Sequence, residues 1–106
     1  MTDTDADHPT LGFDDVVHQR TRLGILSVLA EADRADFGYL KIVLRLTDGN
    51  LGRHLEVLAE HGMITLVKGY EGRRPRTWAT ISPHGRKALQ AELAHMRALL
   101  RHLDPD

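Results

Sequence analysis

LTDGNLGRHLEVLAEHGMITLVKGYEGRRPRTW, residues Leu46 to Trp78, reads as a helix followed at once by a β-hairpin. Thr47 suits an N-cap, because its hydroxyl can accept an otherwise orphaned backbone N–H. Leu51, Leu55 and Leu58 recur at i, i+4 and i+7, which makes one core-facing stripe. Gly62 stops the helix as a C′ glycine. Ile64–Val67 and Thr77–Ile81 are rich in β-branched and aromatic residues and flank a Gly/Pro-containing turn, so they read as two paired strands. The predicted tip between them is Glu71-Gly72-Arg73-Arg74-Pro75-Arg76.

The side of the helix away from the leucines is expected to expose Asp48, Gly49, Asn50, Arg53 and His54. A helix can enter the major groove of DNA, where Asn matches the edge of adenine and Arg that of guanine. Arg73, Arg74 and Arg76 are crowded around a stiffening proline, and guanidinium forks suit phosphate oxygens and narrow minor grooves. Taken alone, the helix residues also fit an ordinary solvated face, and the arginines a charged turn. It is their adjacency that points to nucleic acid. Gly52, in mid-helix, disfavours the helix by up to ~1 kcal/mol relative to alanine. Either close backbone approach to a phosphate or simple tolerance accounts for it. Trp78 stands alone and reads as a packing residue rather than a base-stacking platform.

The sequence outward from this stretch is that of one domain. The chain has 106 residues, with 42% hydrophobic and 27% charged content and no cysteine. Disulfide frameworks and thiolate metal sites are thereby excluded. The longest apolar run, Leu23 to Ala30, is too short to span a bilayer. The acidic N-terminus does not resemble a signal peptide, so the expected location is cytoplasmic. The net charge of -1 hides an asymmetry. Residues 1–15 carry five aspartates and no Lys or Arg, whereas residues 16–106 hold fourteen basic and ten acidic residues, a net +4. Local charge, more than global charge, governs attraction to nucleic acid.

Residues 1–10 are predicted to be a disordered acidic tail, and 11–103 a single folded domain. A first helix is expected from about Asp14–Asp15 to Ala32, with a possible break near Gln19-Arg20. His18 would be a satisfied histidine on it. Ala35-Asp36-Phe37 reads as a short extended link. Leu40, Val43 and Leu44 give a second helix its apolar face. Ser82-Pro83 is an N-cap followed by proline at N1, opening a last helix over 83–103. There Leu89, Leu93, Met96, Leu100 and Leu103 follow the 4-3-4-3 spacing of a coiled-coil seam. They are expected to form a homodimer, the alternative being that the helix folds onto its own chain.

No catalytic motif is recognisable, so no enzyme activity and no cofactor are expected. The seven histidines lack metal-site spacing and read as surface residues.

The order helix, short strand, helix, helix, hairpin, helix resembles the winged helix-turn-helix, in particular the small regulators of the MarR and ArsR groups. The matching strings are Thr47-Asp48-Gly49-Asn50-Leu51 and Gly72-Arg73-Arg74-Pro75-Arg76-Thr77-Trp78, with Ser82-Pro83-x-Gly85-Arg86 closing the match. The resemblance implies a mainly α fold with a β-hairpin wing and a C-terminal dimerisation helix. It also implies a homodimeric, sequence-specific regulator of transcription that binds double-stranded DNA. Its recognition helix, about 47–61, would lie in the major groove. Its wing, 68–78, would lie on the backbone or in the minor groove. Two residues depart from the family pattern: Gly52 stands where serine is usual, and Arg45 where a glycine often turns the chain. Arg45 would take a left-handed conformation or add a phosphate contact. The competing expectations are a protein-interaction module on the same scaffold and a regulator answering to an unidentified small-molecule effector.

Overall fold

The structure, a computed structural model, describes residues 7–104. The first six residues of the expected acidic tail lie outside that range, and Pro9–Gly12 form a 3-10 turn. Four helices and three strands follow: α1 (Arg20–Ala32), β1 (Arg34–Asp36), α2 (Phe37–Leu44), α3 (Asp48–Glu60), β2 (Ile64–Glu71), β3 (Arg74–Ile81) and α4 (Pro83–Leu103). The strands form one antiparallel sheet in the order β1-β3-β2.

α1 starts at Arg20, later than the aspartate pair suggests. Gln19 is extended, and its side chain accepts the N–H of Arg22 at 2.9 Å. Asp14 instead organises the preceding turn by accepting the N–H of Val16 at 2.8 Å. The short link 35–37 is in part a true strand, with Arg34, Ala35 and Asp36 pairing with Thr80, Ala79 and Trp78. Asp36 then caps α2 by accepting the N–H of Tyr39. Only Leu40 of the expected α2 face is fully buried; Val43 is 47% exposed.

Arg45 closes α2 in the left-handed region, at φ 55 and ψ 56. Thr47 caps α3 by accepting the N–H of Asn50 at 3.2 Å. Gly62 takes a φ of +70, the left-handed C′ conformation that spares a Cβ clash.

The hairpin is longer and tighter than expected. Glu71 pairs with Arg74, which leaves Gly72 and Arg73 as a two-residue turn with a positive φ at Gly72 only. That is the Gly-X pattern of a type II′ hairpin. Arg74, Pro75 and Arg76 therefore belong to β3 and not to the tip. In such a hairpin the pair beside the turn is hydrogen-bonded, so the backbone of the next residue points away from its partner strand. Pro75 occupies that next position, and β1 ends short of it, so no strand is denied a donor.

Ile25, Leu26 and Leu29 of α1, Leu40 of α2, Leu51, Leu55 and Leu58 of α3, and Leu89 of α4 fill one core, closed by Met63, Ile64 and Ala79. α4 docks by its first turn. Ser82 caps it, donates from Oγ to the Gly62 carbonyl at 2.6 Å, and accepts from Gly85. A Cβ at Gly85 would lie 2.0 Å from the Met63 carbonyl oxygen, so this close approach admits glycine alone. The chain extends over 66 × 23 × 22 Å, with a radius of gyration of 16.5 Å. About 13 Å is usual for a compact domain of 100 residues.

Candidate nucleic-acid interface

α3 presents its N-terminal half to solvent. Thr47, Asp48, Gly49, Asn50 and Arg53 are exposed, as the leucine spacing implies. The face turns acidic further along, at exposed Glu56 and Glu60, so the end that a polyanion would accept is the first two turns. Asp48 meets Lys41 of α2 at 2.8 Å, a surface pair worth at most about 1 kcal/mol. Neither Gly49 nor Gly52 is required by the fold. A Cβ built at either would meet nothing within 4 Å beyond the helix itself.

His54 is a correction. It is buried, with 7% exposure, and cannot read a base from that position. It lies three residues after Leu51 and four before Leu58, which places it on the leucine face. That i+3 relation was the signal available in the sequence. Its Nδ1 stands 3.0 Å from Nη1 of Arg22. Burial, reinforced by the guanidiniums of Arg22 and then Arg53, pushes its pKa below the ordinary value. The neutral ring accepts from Arg22 through Nδ1 and so carries its proton on Nε2. Arg22 also donates through Nε to the Val16 carbonyl at 2.6 Å. One arginine thus ties α3 to the segment that leads into α1.

The wing arginines divide. Arg73 and Arg74 are exposed, and among the described residues neither has an ion-pair partner. Arg76, by contrast, is already paired. It donates from Nη1 to Asp36 and from Nη2 to Glu71 at 2.9 Å, so its charge is already matched by two carboxylates. It braces the wing against the start of α2. Trp78 packs on the sheet with the Arg34 guanidinium 4.2 Å from its ring centre.

The α4 stripe also divides. Leu89 is buried in the core of its own chain and is withdrawn from any seam, while Leu93 packs partly against the same core. Met96 is half-buried, and Leu100 and Leu103 are 65% and 71% exposed. Between Leu89 and Leu93, Glu92 is 1% exposed. It accepts the backbone N–H of Asp14 at 2.9 Å and faces Nδ1 of His18 at 2.5 Å. His18 is satisfied, as expected, but in the turn before α1, stacked on Phe13. Glu92 and Arg22 escaped the sequence reading. A charged side chain at i+3 from a core leucine was the sign in the first case, and nothing local marked the second.

Among the described residues no helix is long and apolar enough to cross a membrane.

Residues 21–100 match the family described as the winged helix DNA-binding domain. The chain is 34% identical over 83 residues to the uncharacterized protein MJ0432 of Methanocaldococcus jannaschii, covering 78% of this chain and 90% of that protein. It is similar to a transcriptional regulator homologue from Pyrococcus horikoshii OT3, with a TM-score of 0.80 and 32% identity, over 86% of this chain and 90% of that one. A MarR-family transcriptional regulator from Silicibacter pomeroyi shares the fold, with a TM-score of 0.65 and 20% identity, over 91% of this chain and 64% of that one. The chain belongs to the winged helix DNA-binding domain family, and it shares its fold with a MarR-family regulator.

Proposed function

We propose that this winged helix protein is a sequence-specific transcriptional regulator that binds duplex DNA as a homodimer. The first two turns of α3 enter the major groove, where Asn50 and Arg53 read base edges and Thr47, Asp48 and Gly49 lie near the backbone. The wing follows the backbone or minor groove through Arg73 and Arg74. The observation that carries this reading is the pairing of a polar, side-chain-poor helix face with two unpartnered wing arginines. Arg76 supports the wing's position, and His54 the seating of α3, without touching DNA. The exposed end of α4, with Leu100 and Leu103, supplies the contact between copies. Two-fold symmetry would place two recognition helices over half-sites about one DNA turn apart, or a multiple of it.

The test is anisotropy binding to a random-sequence duplex pool at several salt concentrations, followed by sequencing of the bound fraction. A steep loss of affinity with salt and an enriched two-fold-symmetric motif are expected. A steep salt dependence without enrichment would replace sequence reading by non-specific coating of DNA. Folded protein that binds nothing at low salt would overturn the proposal.

A further inference from the structure

Two guanidiniums outside the recognition helix and the wing are also left open. Arg20 begins α1, and Arg45 sits in the turn between α2 and α3. Both are exposed, and neither side chain has a hydrogen-bond or ion-pair partner among the described residues. They line a single open cleft of about 350 Å³ together with Thr21, Gly24, Leu44 and Leu46, and no carboxylate contributes to its wall. Three other arginines are engaged by the fold: Arg22 with His54, Arg76 with Asp36 and Glu71, and Arg86 with Asp33. A cleft that gathers two cations and no anion attracts an anion.

Its place in the fold identifies which anion. Asp36, at the start of α2, is held by Arg76 of the wing, so that end of α2 belongs to the wing. Arg45, at the other end, lies nine residues away along the helix, about 13.5 Å by the rise of an α-helix. It stands only three residues before the first turn of α3. Arg20 joins it because α1 runs beside α3, linked through Arg22 and His54. The wing and the cleft therefore lie at opposite ends of α2. Arg45 holds a left-handed backbone in which glycine or asparagine is least strained. An arginine there projects a charge to solvent from a backbone conformation that does not favour it.

We propose that the cleft between the start of α1 and the α2–α3 turn is a second DNA-anchoring site, in which Arg20 and Arg45 clamp one backbone phosphate on the wall of the major groove opposite the wing. The inference rests on the DNA-reading function proposed above. Guanidinium pairs suit a phosphodiester because each offers parallel N–H donors to two oxygens.

The experiment compares the full chain with Arg20→Ala/Arg45→Gly on the enriched duplex across a salt series. Glycine relaxes the left-handed turn, so the fold and Tm should be retained. With each lost phosphate contact worth about 0.9 in the slope of log K against log salt, the double variant should be shallower by up to about 2. Its enriched motif should be unchanged. Ethylation interference should show a phosphate in each half-site that matters to the wild type and not to the variant. Arg20→Glu gives a second route. An acid at a helix start suits the dipole, so stability should hold while affinity falls. Replacing both residues by lysine should restore most of the slope. A double variant with the wild-type slope and interference pattern overturns the clamp while leaving the DNA-binding function in place. A wild-type chain that binds no duplex removes the function itself.

Discussion

α3 and α4 are both amphipathic helices with a leucine stripe, yet the two stripes end differently. On α3, Leu51, Leu55 and Leu58 are all buried within the same chain, and even polar His54 is drawn in with them. On α4 the stripe starts in the core at Leu89 and ends in solvent at Leu100 and Leu103. Spacing alone tells that a face is apolar. What lies across from it depends on where the helix runs, and α4 outruns the body that it packs against. A helix whose stripe is wholly used within the chain presents its other face for recognition. In the function proposed here, the exposed remainder of the α4 stripe meets a second copy.

The largest effect should come from cutting the α4 stripe at its two ends. Leu89→Ala removes a buried side chain and should lower folding stability by about 2–5 kcal/mol. Leu100→Ala should leave monomer stability within about 0.5 kcal/mol, as expected of an exposed site, while weakening self-association. Chemical denaturation and sedimentation read these separately. Equal losses of stability at both sites would erase the division drawn here.

Next come the outer and inner faces of α3. Arg53→Ala should cost about 1–3 kcal/mol of DNA binding and relax preference at one base position of the enriched motif, with no change in Tm. His54→Gln should alter stability and its pH dependence before it alters base preference. If His54→Gln changes base preference and Arg53→Ala does not, the two faces have been assigned the wrong way round.

The pH dependence sharpens the same contrast. Burial holds His54 neutral, with its pKa lowered from 6.5. Between that lowered value and 6.5 the unfolded chain binds more protons than the folded one, so stability rises with pH there. The contribution of His54 is complete above 6.5 and is lost as pH falls through the folded value. Thermal melts should show this limb in the wild type and a flatter one in His54→Gln. Superimposable curves would mean that the buried ring does not resist protonation.

The smallest effect concerns Gly52. Gly52→Ala fills open space on the outer face and should stabilise α3 by up to about 1 kcal/mol. If the helix backbone approaches DNA closely, the same change should weaken duplex binding. A gain in Tm with unaltered affinity would show that the glycine is merely tolerated.

Much of this arrangement was legible residue by residue. Thr47 and Ser82 announced the starts of α3 and α4, because a hydroxyl there satisfies a backbone donor that no residue of the helix can reach. Gly62 announced the end of α3 for a similarly local reason. The strand segments were legible by composition. Their full extent was not, since the type II′ turn at Gly72-Arg73 let the ladder continue through Arg74, Pro75 and Arg76. The burial of His54 and Glu92 was marked by their i+3 relation to a core leucine, but the partners of His54, Arg76 and Glu92 were not legible, because each lies far away in the chain: Arg22, Asp36 and His18.

The sequence by itself determined which segments become helices and strands, which faces are apolar, and that a basic hairpin follows a polar-faced helix. Those properties follow from backbone dihedral preferences, caps and periodicity, all of which act within a few residues. Tertiary structure decided which charges remain available. Arg73, Arg74, Arg20 and Arg45 are open, whereas Arg76 and Arg22 are engaged by groups brought beside them when distant segments pack. A guanidinium carries the same charge in either case. Whether it is left for a phosphate depends on the carboxylates, carbonyls and rings that the fold places within hydrogen-bonding reach.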